Sequence, residues 1–376
     1  MSHRRRPGFD ALWTRSWFVG AGAIWIAATA SPSSALPRYT ARYEQKCALC
    51  HVNPSGGGLR SDYARQQLVP EEIAWWGARP KALEDMEKVI PSTIQIGADF
   101  REFYVGADEG AEHLNFFEMQ ADLYLAFQLD PKATLYYDRG QSGNYEAFGV
   151  GYIRPTLYVK AGRFVPSYGW KFDDHTMYVR SELNFMPPGN SDVGLETGFS
   201  HGPFDLQAAV VNGNRGQVLD NDTKVAGVVN AVVRHRLGPV GISIGASGYH
   251  QPSDTRNFDT WGAYWYLRFH GVTWLGETDL IQEQLGAGPM IQKVVTSHEV
   301  TYLVHRGLEV KGTYDFFDPD RDVASGARSR YGGGVFVMPR PFVTMEALVR
   351  RIDYDEGVAS FGRDYTETLL QLHLLY

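Results

Sequence analysis

The chain has 376 residues and sets 36 Lys+Arg against 43 Asp+Glu, a formal net charge of −7. This mild acidity offers no concentrated basic face, so nucleic acid is excluded as a partner. The 40 Gly, 21 Tyr, 20 Phe and 9 Trp suit many strands, tight turns and aromatic girdles. A soluble chain of this length would default to two domains. The patterning below argues instead for one closed barrel carrying a short head.

Residues 1–35 read as an export signal. Arg4, Arg5 and Arg6 give a positive start, and Trp17 to Ala28 is an apolar run without charge. Ser33-Ser34-Ala35 supplies the small residues of a cleavage site, with Ala28-Thr29-Ala30 as a second position. The run is short for a membrane-spanning helix, although an uncleaved anchor is the competing reading. Export places the rest of the chain in an oxidising compartment.

Both cysteines fall in Cys47-Ala48-Leu49-Cys50-His51, within a predicted head over residues 36–92. A Cys-x-x-Cys-His run is the attachment pattern of a c-type haem. Each thiol adds to one vinyl group, and the adjacent histidine donates an imidazole nitrogen to the iron. One covalently bound haem c is therefore the predicted cofactor, with Cys47 and Cys50 as attachment points and His51 as proximal iron ligand. Three alternatives compete. A Cys47–Cys50 disulfide closes a very small loop and gains little entropy. A thioredoxin-type pair wants a βαβ context, and a zinc site wants further Cys or His, of which residues 52–92 have none.

After the motif, Asn53-Pro54 and Gly56-Gly57-Gly58 turn the chain sharply. Short helices are expected over Leu59–Leu68 and Pro80–Val89. Met86, on the second, is a candidate distal iron ligand. A core-filling role or a lumen-facing histidine competes with that assignment. A head of about 55 residues is marginal for an independent core, so haem packing or docking must supply the missing apolar contacts.

From Thr93 the period changes to two. In Phe117 to Leu129 the residues Phe117, Met119, Ala121, Leu123, Leu125, Phe127 and Leu129 alternate with Glu118, Gln120, Asp122 and Gln128. That is the apolar-out, polar-in pattern of a transmembrane β-barrel. Repetition of this pattern predicts about sixteen strands over residues 93–376, joined alternately by short turns and longer polar loops. The short turns mark the periplasmic rim, on which the C-terminus also falls, and the haem head is placed at the periplasmic side or inside the lumen as a plug. Trp261, Trp265 and Trp274 suit an interfacial girdle. In the last strand Leu370, Leu372, Leu374 and Tyr376 are read as lipid-facing, and Glu367, Gln371 and His373 as lumenal. The fold class is thus an all-β outer-membrane antiparallel barrel with a small α-helical haem head. The predicted lumen mixes Asp99, Glu118, Asp122, Glu277 and Asp279 with Arg101, Lys160, Lys224, Arg234 and Arg350, which does not favour anion selectivity. The longest loop, Pro166 to Asn190, begins like a recurring stretch of porins, in which such a loop often folds inward. Its Asp173, Asp174 and His175 offer hard-oxygen and imidazole metal ligands; a solvated loop is the competing reading.

An export signal, Pro37-Arg38-Tyr39-Thr40-Ala41-Arg42-Tyr43, the Cys47–His51 motif and a porin-like barrel occur here in that order. In this the chain resembles the fused outer-membrane monohaem cytochrome c–porins, which include ferrous-iron oxidases. The sequence likeness covers about residues 37–60, and the architecture spans the mature chain. The resemblance implies electron transfer across the bacterial outer membrane. The implied partners are an extracellular donor, with Fe(II) the candidate, a periplasmic cytochrome or copper protein, and outer-membrane lipid. Cys47, Cys50 and His51 carry over as haem attachment and proximal ligand; no iron-oxidation residue does, so no catalytic residue is assigned. Two other functions compete: a diffusion porin capped or gated by its haem head, and a sheath for a multihaem electron conduit.

Overall fold

The computed structural model describes residues 37–108, 114–141, 143–185, 191–217, 220, 222–355 and 364–376. The predicted export signal lies outside them. Among the described residues, sixteen antiparallel strands close into one barrel in which every strand pairs with its neighbours in sequence. They are β1 Ile94–Ala107, β2 Leu114–Asp130, β3 Ala133–Gly140, β4 Tyr145–Arg154, β5 Leu157–Phe164, β6 Asp192–His201, β7 Phe204–Val211 and β8 Ala226–Leu237. The second half comprises β9 Val240–Gln251, β10 Arg256–Phe269, β11 Val272–Leu285, β12 Met290–His305, β13 Leu308–Asp318, β14 Arg328–Arg340, β15 Val343–Tyr354 and β16 Tyr365–Leu375. β1 closes on β16 through pairs such as Arg101↔His373 and Tyr104↔Leu370. Closure leaves no free sheet edge, the condition for crossing a bilayer with strands.

Alternation survives along nearly every strand. Leu123, Leu195, Ile244 and Val349 stand exposed on the outer face, and Trp261 and Trp274 are exposed with them. One stretch departs from the expected pattern. The β1–β2 pairing slips between Arg101 and Glu102, so Arg101 faces Gln120 while Glu102 faces Glu118. A bulge of this kind reverses the facing beyond it. Phe117, expected toward lipid, packs edge-on against Phe103 at 5.5 Å and joins the inner cluster with Leu348 and Leu369. Glu118, expected in the lumen, is exposed. Tyr376 also differs: its ring packs edge-on against Phe342, and its hydroxyl donates to Glu87 at 2.7 Å, tying the C-terminus to the head.

The head comprises α1 Pro37–Tyr43, α2 Cys47–Cys50, α3 Ala64–Ile73 and α4 Lys81–Val89. The helix expected over Leu59–Leu68 therefore lies further along the chain. Leu59 and Arg60 are held extended, because Val52 N–H donates to Leu59 O and Ser61 N–H donates to Cys50 O. The Ser61 hydroxyl then accepts from Ala64 N–H. α3 is a π-type helix with Pro70 inside it. A proline clashes with the carbonyl four residues back in an α-helix, and the wider turn accommodates it.

The head does not hang below the barrel; it enters through the short-turn end. Trp75 and Trp76 N–H donate to Met338 O and Pro339 O, and Arg306 donates to the carbonyls of Glu71 and Trp75. Tyr39, Leu68 and Ile73 pack with Phe336, Met338 and Phe342 in one apolar cluster. Deeper in, Arg60 pairs with Asp99 at 2.9 Å, Lys46 with Asp205 at 3.0 Å, and Arg38 with Asp173 at 3.4 Å. Arg42 pairs with Glu309. From the opposite end, the loop after β5 folds inward and forms the short helix α5 Tyr178–Leu183. Tyr168 donates to Asp279 at 2.7 Å, Trp170 N–H to Glu277 at 2.6 Å, and Ser167 to Glu196 at 2.8 Å. Lumenal side chains are consequently buried: Lys160, Glu277, Asp279 and Asp315 have no solvent exposure.

Lys311 shows what this filling requires. Its ammonium lies 2.6 Å from Glu346 and 3.1 Å from Glu299, wholly out of solvent. Removing one member of a buried ion cluster strands the others and costs about 3–5 kcal/mol. Lys311→Met is expected to lower stability by about that amount in urea unfolding of the detergent-refolded barrel, and Glu346→Gln in the same chain is expected to recover part of it.

Candidate functional site

The haem-type motif sits inside the lumen, held by its flanks. Glu44 accepts from Arg268 at 2.7 Å, and Lys46 donates to Ser200 Oγ at 2.6 Å, which pins the start of α2 beneath the β6–β7 turn. α2 is a single turn, closed by His51 N–H donating to Cys47 O at 2.9 Å. Beyond it Asn53, fully buried, accepts from Ser55 Oγ at 2.8 Å, and Lys160 donates to that same hydroxyl at 2.9 Å. Gly56, Gly57 and Gly58 follow with φ of 84°, 85° and 63°. Only glycine takes three such left-handed steps without strain. A Cβ at Gly58 would also lie 2.0 Å from the Tyr136 hydroxyl.

A cavity of about 490 Å³ opens beside this turn, bordered by Cys47, His51, Tyr158, Trp170, His175 and Tyr264. Cavities of about 300–1,000 Å³ hold ligands of cofactor size. His51 also borders a second cavity of about 40 Å³, which it shares with Cys50, Met338 and His373. His51 is buried, and its Nδ1 has no hydrogen-bond partner. Burial, with Arg60 and Lys171 nearby, lowers its pKa to about 3, so the imidazole is neutral. Neutral imidazole with a free nitrogen is the form that binds a metal.

The thiols differ from each other. Both are free. Cys47 borders the large cavity, where burial raises its pKa against the opposing pull of Arg234. Cys50 packs against Tyr39, Ala64 and Leu68 and borders only the small cavity. Burial and the neighbouring Cys47 push its pKa up to about 12. The residues fit a c-type haem in three respects: the orphaned His51 nitrogen, the Cys47 thiol on a cavity of adequate size, and an aromatic wall. A second thioether bond requires Cys50 to leave its apolar cluster for the same cavity. Met86 lies half-buried on α4 and borders neither cavity.

The acidic loop triplet is divided among arginines instead of converging on an ion. Asp173 pairs with Arg101 at 3.1 Å as well as Arg38, and Asp174 pairs with Arg350 at 3.2 Å and accepts from the Thr176 hydroxyl at 2.6 Å. Burial alone would raise both carboxyls; Arg101 and Arg38 hold Asp173, and Arg350 holds Asp174, below the usual range. Among the described residues no group of three His, Cys, Asp or Glu is placed to hold a metal ion. Sequence reasoning did not find the docking cations Arg38, Arg42, Lys46 and Arg60. The available signal was four cations clustered around the cysteines, facing a barrel with lumenal Asp99, Asp205, Glu299 and Glu309.

No family model matches this chain, and no curated protein does. Its likeness is to solved barrels. OprB of Pseudomonas putida, in its high-pH structure, superposes with a TM-score of 0.57 at 10% identity, covering 81% of this chain and 99% of that one. OmpT of Vibrio cholerae gives 0.56 at 9% identity, covering 77% and 99%. The anion-selective porin from Comamonas acidovorans gives 0.55 at 10% identity, covering 75% and 99%. The fold is that of the porin-like outer-membrane barrels.

A histidine whose folded pKa is depressed favours folding above its unfolded value and loses that contribution as pH falls. For His51 the window runs from 6.5 down to about 3. The melting temperature of the refolded chain is expected to drop across that window, and less steeply in His51→Gln. An identical slope in both proteins would assign the drop to other groups.

Proposed function

We propose that this chain is an outer-membrane barrel that carries one covalently attached haem c in its lumen and passes single electrons between an extracellular donor and a periplasmic carrier. Fe(II) is the candidate donor, and a cytochrome or copper protein the candidate acceptor. The observation that carries this reading is the delivery of the Cys47–His51 motif into the closed lumen, with the His51 Nδ1 unpartnered beside a cavity of about 490 Å³. A bound haem supplies reversible one-electron chemistry at its iron. The remaining work belongs to the chain. Cys47 and Cys50 tether, each S–H adding across a vinyl C=C with sulfur to one carbon and hydrogen to the other. His51 ligates. The head and the inward loop exclude water and insulate the centre from lipid and solvent.

A second reading is a diffusion porin gated by its head. It draws on the likeness of fold to an anion-selective porin and on the ion pairs that take part in docking the head. Against it stands the filled lumen, since an open sixteen-stranded pore would leave Lys160 and Glu277 wet, and both are fully buried.

Protein made in a host competent for cytochrome c maturation is expected to show a c-type α-band on reduction, and addition of Fe(II) is expected to raise that band if iron is the donor. A band that appears only with dithionite would move the donor elsewhere, and no band in either state would leave the gated porin. In planar bilayers the intact chain is expected to conduct poorly. A large conductance shared by the wild type and Cys47→Ala/Cys50→Ala would overturn the sealed-lumen reading.

A further inference from the structure

The geometry points to His175 as a second protein ligand of the iron that His51 would hold; this rests on the haem reading above. His175 lies on the loop between β5 and β6 and borders the same cavity of about 490 Å³ as Cys47 and His51. Its Nδ1 is shielded from solvent and finds no hydrogen-bond partner. Polar groups shielded in this way are nearly always paired, and an unpaired one costs free energy unless a ligand completes it. The backbone on either side is fixed. Asp173 is clamped by Arg101 and Arg38, Asp174 by Arg350, and the Asp174 carboxylate accepts from Thr176 N–H at 2.8 Å. Four polar contacts therefore hold the flanking backbone in place around an imidazole whose Nδ1 is bonded to nothing.

The other candidates are placed less well. Met86 borders neither cavity. His373 and Met338 line the cavity of about 40 Å³, too small for a macrocycle, and His373 Nε2 already lies 3.3 Å from Asp99. Lys171 borders the large cavity, but its ammonium donates to Gly56 O at 2.7 Å. Paired imidazoles make a low-spin iron, and they set its potential below that of a histidine–methionine pair, because thioether ligation raises it.

The test uses the full-length haem-loaded protein. Haem content by pyridine haemochrome, electron paramagnetic resonance of the oxidised form and midpoint potential are measured for wild type, His175→Ala, His175→Met and Met86→Ala. The wild type and Met86→Ala are expected to be low-spin and without a methionine–iron charge-transfer band. His175→Ala is expected to keep its haem and become high-spin, and free imidazole is expected to restore the low-spin signal. His175→Met is expected to remain low-spin, gain the methionine band and rise in potential. A low-spin His175→Ala with unchanged potential, or loss of the low-spin signal in Met86→Ala, would overturn the assignment while leaving the haem in place. Absence of haem from every variant, wild type included, would instead overturn the functional reading and the ligand assignment with it.

Discussion

A closed ring of sixteen strands encloses more space than its own side chains can fill. In this chain the inward positions are also densely charged, and a charge removed from water is stable only beside a partner. Those two conditions govern the rest of the molecule. Asp173 comes down from the loop to meet Arg101 of the wall and Arg38 of the head, so one carboxylate joins three elements. Glu299 reaches both Lys311 and Arg38 in the same manner. The head, the loop and the wall are three parts of one electrostatic structure.

The same filling accounts for a head too short to be stable alone. A segment of about 55 residues buries too little apolar surface for an independent core. Its aromatic and aliphatic side chains find their missing partners on the barrel, where Tyr39, Leu68 and Ile73 meet Phe336, Met338 and Phe342. The chain's last residue takes part: Tyr376 stacks edge-on with Phe342 and donates to Glu87 on α4. A terminal aromatic that reads as lipid-facing by alternation thus locks the head against the rim.

Burial also decides the chemistry available at the Cys-x-x-Cys-His element. An exposed histidine would titrate near neutrality, whereas His51 is held neutral by burial and by the guanidinium of Arg60. Arg60 itself is retained by Asp99. Asp99 of the wall pulls the His51 pKa the other way, so it is burial, helped by Arg60 and Lys171, that keeps the imidazole neutral. The loop contributes Trp170 to one side of the cavity and His175 to another, so the site is built from three segments far apart in sequence.

Local pattern alone was enough for the strands. Alternation of period two is a property of consecutive residues, and it predicted about sixteen strands beginning at Thr93, against sixteen observed from Ile94. The Cys47–His51 spacing is equally local and proposes its chemistry without help from the fold. The β1–β2 bulge was not legible, because it depends on which residue of one strand faces which of the next, and Phe117 and Glu118 exchanged sides as a result. Nor was the pairing of Arg38, Arg42, Lys46 and Arg60 with lumenal acids, since those partners lie between 39 and 267 positions away. A head below the barrel and a head within it have the same sequence. Only the cost of leaving the lumenal charges unpaired selects between them, and that cost exists only once the barrel has closed.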